Sequence, residues 1–121
     1  MECGEIKIID KKVIITTTNG TVWLTKHQIA DLFEVFISKV GSNIVAILKA
    51  EVLEESEVCR RRANSKNSFI TVYNLDMIIA LSFRIRSRKA EAFRDWLIKK
   101  IVKRNIAITI VLTTNNTNIF N

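Results

Sequence analysis

Proline is absent from the 121 residues, against ~5% of average usage, and histidine occurs once, as His27. Cysteine occurs twice, as Cys3 and Cys59. Structural zinc takes about four Cys or His ligands, so neither a zinc site nor a disulfide framework is expected, and reduced thiols are. No apolar run reaches the ~18 residues of a membrane span, and "MECGEIKIID" lacks the basic-then-apolar layout of a signal peptide. The expectation is a cytosolic protein without a membrane segment. Glycine-rich phosphate loops, metal-spaced clusters and serine elbows are missing too. His27 falls in a first helical turn, which suits an exposed residue better than a general base. The sequence therefore predicts no enzyme, no cofactor, no metal and no small-molecule substrate. It contains no internal repeat.

What is present is a globular composition, 48% hydrophobic and 26% charged, and enough chain for one domain with a modest core. The formal charge of +7 is concentrated in one place. Residues 84–104 hold Arg84, Arg86, Arg88, Lys89, Arg94, Lys99, Lys100, Lys103 and Arg104 against Glu91 and Asp95, and the rest of the chain is balanced. Such asymmetry points to a polyanion, nucleic acid ahead of membrane, since no strongly apolar opposite face with a free edge stands out. A solvated basic helix without a partner is the alternative.

"EIKIIDKKVIITTT" alternates and is rich in Ile, Val and Thr, which predicts two strands turning at residues 10–12. Asn19-Gly20 is a turn signal leading into a third short strand. Thr25 is placed to cap a helix, with Gln28 as reciprocal partner and Leu24 and Ile29 as a hydrophobic staple. Ile29, Leu32 and Phe33 form its apolar face. Ile37, Val40, Ile44, Ile47 and Leu48 then recur at steps of three and four, predicting a second helix over 37–49. The acidic "AEVLEESEV" reads as irregular or as a last helical turn. "VCRRRANSKNSFITVY" reads as strand, polar loop and strand, with its arginines at or beside the loop. Asn74 can cap a helix over "LDMIIALSFRIR", and Ser87 another in which Ala90, Phe93, Leu97 and Ile101 make one stripe. Residues 105–121 carry no charge and predict an added strand or a segment outside the folded unit.

A helix pair followed by a basic hairpin predicts an α+β, winged helix-turn-helix-like domain over residues 1–104, with an N-terminal β-hairpin and a C-terminal helix pair. The expected partner is double-stranded DNA. Lys26, Lys39, Arg60, Arg61, Arg62 and Lys66 are candidates for phosphate contacts, and Ser38 and Ser42 for single hydrogen bonds to bases. The triple arginine could equally neutralise Glu51, Glu54, Glu55 and Glu57. Base discrimination usually needs Arg, Asn or Gln at the start of the second helix, where Phe36, Ile37, Ser38, Lys39, Gly41 and Ser42 stand, so weak sequence readout is expected. An alternative packs Phe36 and Ile37 under the hairpin or uses them for self-association as a homodimer. Cys59 is open to two readings, an activated thiol beside arginines or an inert half-buried strand thiol.

"TVWLTKHQIADLF" and "VYNLDMIIALSFRIRSRKAEAFRDWLIKKI", with the spacing between them, resemble the N-terminal region of the RhuM-type virulence protein family, which is bacterial and associated with genomic islands and mobile elements. The likeness covers roughly residues 13–104. It implies a DNA-binding role and a chain truncated relative to longer family members. Two positions depart from the family pattern: Glu34 stands where the turn normally has glycine, and Phe36 where a serine begins the next helix. A left-handed Glu34 costs ~1 to 2 kcal/mol, the missing cap about 1, and Gly41 up to ~1, against a domain stability of ~5 to 15. A later start capped by Ser38 would relieve part of this.

Overall fold

The computed structural model describes residues 4–104 as a mixed α+β unit of small antiparallel sheets and five helices. The strands are β1 (Glu5–Ile9), β2 (Lys12–Thr16), β3 (Trp23–Leu24), β4 (Cys59–Ala63) and β5 (Phe69–Asn74). The helices are α1 (Lys26–Phe33), α2 (Ile37–Lys49), α3 (Glu55–Val58), α4 (Leu75–Ser82) and α5 (Arg88–Arg104). The expected strand or tail over residues 105–121, and Cys3, lie outside the described residues. No helix among the described residues is long and apolar enough to cross a membrane.

β1 and β2 form a hairpin in which Ile6, Ile8 and Val13 turn inward and the lysines outward. Just before it, Gly4 sits at φ +78, where a Cβ would lie 2.6 Å from the Thr16 carbonyl and 2.7 Å from Val22 Cγ1. Only a residue without a side chain fits there. Asn19 and Gly20, both at positive φ, then reverse the chain inside a Thr18–Thr21 bridge and deliver β3.

The predicted capping box is present: Gln28 N–H donates to Thr25 Oγ1 at 3.1 Å, and Thr25 N–H donates to Gln28 Oε1 at 2.8 Å. Leu24 and Ile29 are both buried. Glu34 ends α1 in the left-handed region, at φ 56 and ψ 50. The Val35 N–H closes the turn onto the Ala30 carbonyl at 3.0 Å, so the backbone keeps a glycine-type turn with a glutamate in it. Glu34→Gly is expected to raise stability by about 1 kcal/mol, read as a Tm increase of about 4–8 °C. A lower Tm would mean that the 4.0 Å pair of Glu34 with Lys89 outweighs the strain.

α2 begins at Ile37 with Phe36 in the cap position and no side-chain cap bond, so the later start on Ser38 is not adopted. The helix carries Val40, Ile44 and Ile47 into the core. The acidic stretch after α2 holds a left-handed Glu51 and the single turn α3.

β4 and β5 pair antiparallel, and β3 joins the other edge of β5, giving the order β3-β5-β4. All three arginines lie within β4, and the loop carries only Lys66. Asn74 caps α4 by accepting the Met77 N–H at 3.2 Å, and Ser87 Oγ accepts the Ala90 N–H at 3.1 Å to start α5. α4 stops at Ser82, short of the predicted "LDMIIALSFRIR", because Arg94 reaches back from α5 to take the carbonyls of Ser82 and Ile85. Phe33, Phe93, Met77, Ile78 and Leu81 fill the centre of the core. The α5 stripe is only half used: Ala90 and Phe93 are buried, whereas Ile101 is exposed because the helix outruns the body.

Candidate nucleic-acid interface

The turn at Glu34 sets α1 and α2 against each other, and the β4–β5 hairpin stands beside them. Between the pair and the hairpin is an open cleft of about 480 Å³, lined by Lys26, Ile37, Ser38 and Gly41 on one side and Phe69, Ile70 and Thr71 on the other. His27 lines it too, from the exposed first turn of α1. A Cβ on Gly41 would meet Lys26 Cδ at 3.8 Å, an ordinary contact, so Lys26 lies across α2 without needing the glycine.

Of the eight candidate residues, five lie on α1, α2 and the hairpin tip and three, the arginines, on β4. Lys26 and Ser38 line the cleft. Lys39 and Ser42 are exposed on α2, where the Ser42 hydroxyl donates to the Lys39 carbonyl at 3.2 Å. Lys66 is exposed at the hairpin tip, where Asn64 Oδ1 accepts from the backbone N–H groups of Lys66 and Ser68. That side-chain bracket fixes the loop and therefore where Lys66 projects. Among the described residues, Lys26, Lys39 and Lys66 have no ion-pair partner.

Strand alternation divides the arginines. Arg61 shares a face with Thr71 and lies 4.7 Å over the ring of Phe69, which lines the cleft. Arg60 and Arg62 are on the opposite face, and Arg60 lies 4.3 Å over the Trp23 ring. Arg62 is half-buried and engaged. Neutralisation of the nearby glutamates is therefore not the role of Arg60 and Arg61, whose guanidinium groups stack on rings instead. Phe69 and Trp23 are the residues that sequence reasoning missed. Phe69 lies diagonally across the hairpin from Arg61, and Trp23 lies on β3 beyond β5 from Arg60, so neither pairing is seen without the register.

Phe36 is 84% exposed, which overturns its packing under the hairpin. Ile37, 38% exposed, does face hairpin residues across the cleft. Asn43 is the one amide on this part of α2, and both its ends are engaged: Nδ2 donates to the Lys39 carbonyl at 2.9 Å, and Oδ1 accepts from Arg84 Nε at 3.0 Å. The basic segment is likewise partly committed to structure. Arg84 braces α2, Arg94 caps α4, and Lys89 Nζ donates to the Ile8 carbonyl at 2.8 Å.

No group of three or more His, Cys, Asp or Glu among the described residues could hold a metal ion. Burial pushes the Cys59 thiol above its ordinary 9.0, and the Glu55 carboxylate adds to the shift. The arginines of β4 therefore do not activate it. Tyr73 is raised above 10.0 by burial, with Cys59 and Glu55 contributing. A raised acid keeps its proton longer in the folded state than in the unfolded one. Stability from these groups is thus complete below about pH 9 and is lost as pH rises through their folded values. The urea midpoint should fall as pH rises above about 9, and less steeply in Cys59→Ser; an unchanged slope would contradict the assignment. Comparison with family models, curated proteins and solved structures finds no match to the chain.

Proposed function

We propose that the chain is a winged helix-turn-helix-like module that binds double-stranded DNA mainly through the phosphate backbone, with weak sequence readout. In this reading α1 and α2 are the helix pair, α2 enters the major groove, and β4–β5 is the wing. The observation that supports it most is a group of cations on and beside one cleft: Lys26 lines it, Lys39 is exposed next to the lining Ser38, Arg61 stacks on the lining Phe69, and Lys66 is exposed at the hairpin tip. Four phosphate contacts would give a slope near −4 for log affinity against log salt, by the rule of ~0.9 per phosphate. Arg60 is left out because it is stacked on Trp23 on the other face.

Weak readout follows from the chemistry of the same surface. Phe36, Ser38, Lys39 and Ser42 offer single hydrogen bonds, one cation and a ring that can touch a thymine methyl. Asn43, the side chain with bidentate geometry, is held by Lys39 and Arg84. The resemblance of residues 13–104 to RhuM-type N-terminal regions supports this reading, in which the module is not an enzyme. The test is binding to random duplex DNA at about 50 and about 200 mM salt, followed by selection from a random pool. Steep salt dependence without a recovered motif is expected. Absence of binding at the lower salt would overturn the proposal, and a strong motif would overturn the weak readout.

The exposure of Phe36 favours one second reading, an interaction module that self-associates and does not bind DNA. It predicts a concentration-dependent dimer by sedimentation that is lost in Phe36→Asp. A monomer at all concentrations would dismiss it.

A further inference from the structure

A second cleft, of about 370 Å³, lies between the β1–β2 turn and α5. Lys11 lines it from the turn, and Asp95, Trp96, Lys99, Lys100 and Lys103 line it from the helix. Positions 96, 99, 100 and 103 fall on one helical face by their steps of three and four. Four lysines thus line one cleft with a single carboxylate, and none of the four is ion-paired among the described residues. Their mutual repulsion is relieved when an anion enters.

The cleft also has a flat wall. Trp96 is half-buried, and its ring packs against Phe93 at 5.9 Å between centroids, which holds it in place. Lys100 Nζ sits 5.9 Å from the Trp96 centroid. A ring fixed from behind, with cations around it, matches a ligand that joins a planar base to phosphate groups. A membrane surface fits less well. The lysines line a concavity, and an indole clamped by Phe93 is not free to insert between lipids.

We propose that the cleft formed by Lys11, Trp96, Lys99, Lys100 and Lys103 binds a nucleotide unit, with the base on Trp96 and the phosphates on the lysines. The unit is either a free nucleotide or part of a single strand. This inference does not rest on the duplex-binding reading of α2.

The test is fluorescence titration of the full chain carrying Trp23→Phe, so that Trp96 is the reporting indole. The probes are adenosine triphosphate, inorganic triphosphate, a short single-stranded oligodeoxynucleotide and vesicles containing phosphatidylserine, all at low salt. Saturable quenching by adenosine triphosphate assigns the free nucleotide, and quenching by the oligonucleotide alone assigns the strand; both support the proposal. Inorganic triphosphate should bind about 5- to 150-fold more weakly than the nucleotide, the range that stacking of one base confers. The exposed pair Lys99→Ala and Lys103→Ala should weaken nucleotide binding at least about tenfold with unchanged circular dichroism. No quenching by either nucleotide probe, equal affinity for inorganic triphosphate, unchanged affinity in the lysine variant, or binding to the vesicles in place of nucleotides would each overturn it. Arg61→Ala with Lys66→Ala should leave this titration unchanged while weakening duplex binding, so the two proposals fail separately.

Discussion

Alanine at Lys39, Arg61 and Lys66 together is expected to lower affinity for random duplex DNA on the order of 500-fold at about 0.1 M salt. Each phosphate contact contributes ~0.9 to the slope of log affinity against log salt, so losing three removes about 2.7. Relative to about 1 M salt, where counterion release contributes nothing, a tenfold lower salt concentration converts that slope difference into the stated factor. The loss should be uniform across DNA sequences if, as proposed, the three side chains act on the backbone. Arg60→Ala is the matched control. Its guanidinium lies over Trp23 on the opposite face of the sheet, so its removal should leave the slope unchanged. Equal losses from Arg60→Ala and Arg61→Ala would mean that the duplex does not distinguish the two faces of β4. Anisotropy titrations at several salt concentrations, with circular dichroism to verify folding, make the measurement.

Phe93→Ala is expected to remove about 3–5 kcal/mol of stability. Phe93 is completely buried, meets Phe33 edge-on at 5.9 Å and 73°, and backs the ring of Trp96. It therefore joins α5 to α1, and the cavity left by its ring cannot close without moving one of those helices. Against a total of ~5–15 kcal/mol, the variant is left near the folding threshold, with Tm lower on the order of 20 °C. Phe93→Leu, which keeps most of the volume, should lose much less. Thermal unfolding followed at 222 nm decides the matter, and a loss below about 1 kcal/mol would show that α5 is not part of the cooperative unit.

The parts of this fold that the sequence reveals are those decided within a few residues. Thr25 with Gln28, Asn74 before Met77, Ser87 before Ala90, and the Asn19-Gly20 turn all act over three residues or fewer, so their chemistry is visible in the string. The left-handed Glu34 was also visible, as a position where strain had to be carried if the turn was kept. What stayed hidden depends on register or distant packing. Arg60 reaches Trp23 only because β5 lies between their strands, and Lys89 reaches the Ile8 carbonyl across 81 positions. The candidate site suffered most from this. Three consecutive arginines look alike in the string, but the pleat puts Arg61 over Phe69 on one face of the sheet and Arg60 over Trp23 on the other. A charge count also cannot tell that Arg94, Arg84 and Lys89 are occupied inside the fold. Phe36 illustrates the opposite failure: its hydrophobicity suggests burial, while the cap position that it occupies leaves it in solvent.

The attachment of the β1–β2 hairpin to α5 has a consequence for how the chain is made. The hairpin leaves the ribosome before every other described element, and a two-stranded hairpin alone is at best marginally stable in water. Among its tethers is the Lys89 bond to the Ile8 carbonyl, carried by α5, the last element of the described chain. Until that helix emerges, Ile6, Ile8 and Val13 lack part of the cover they have in the finished protein. Its synthesis thus leaves an apolar strand pair waiting on nearly all of the described residues, which makes nascent chains stalled before residue 88 natural clients for a chaperone.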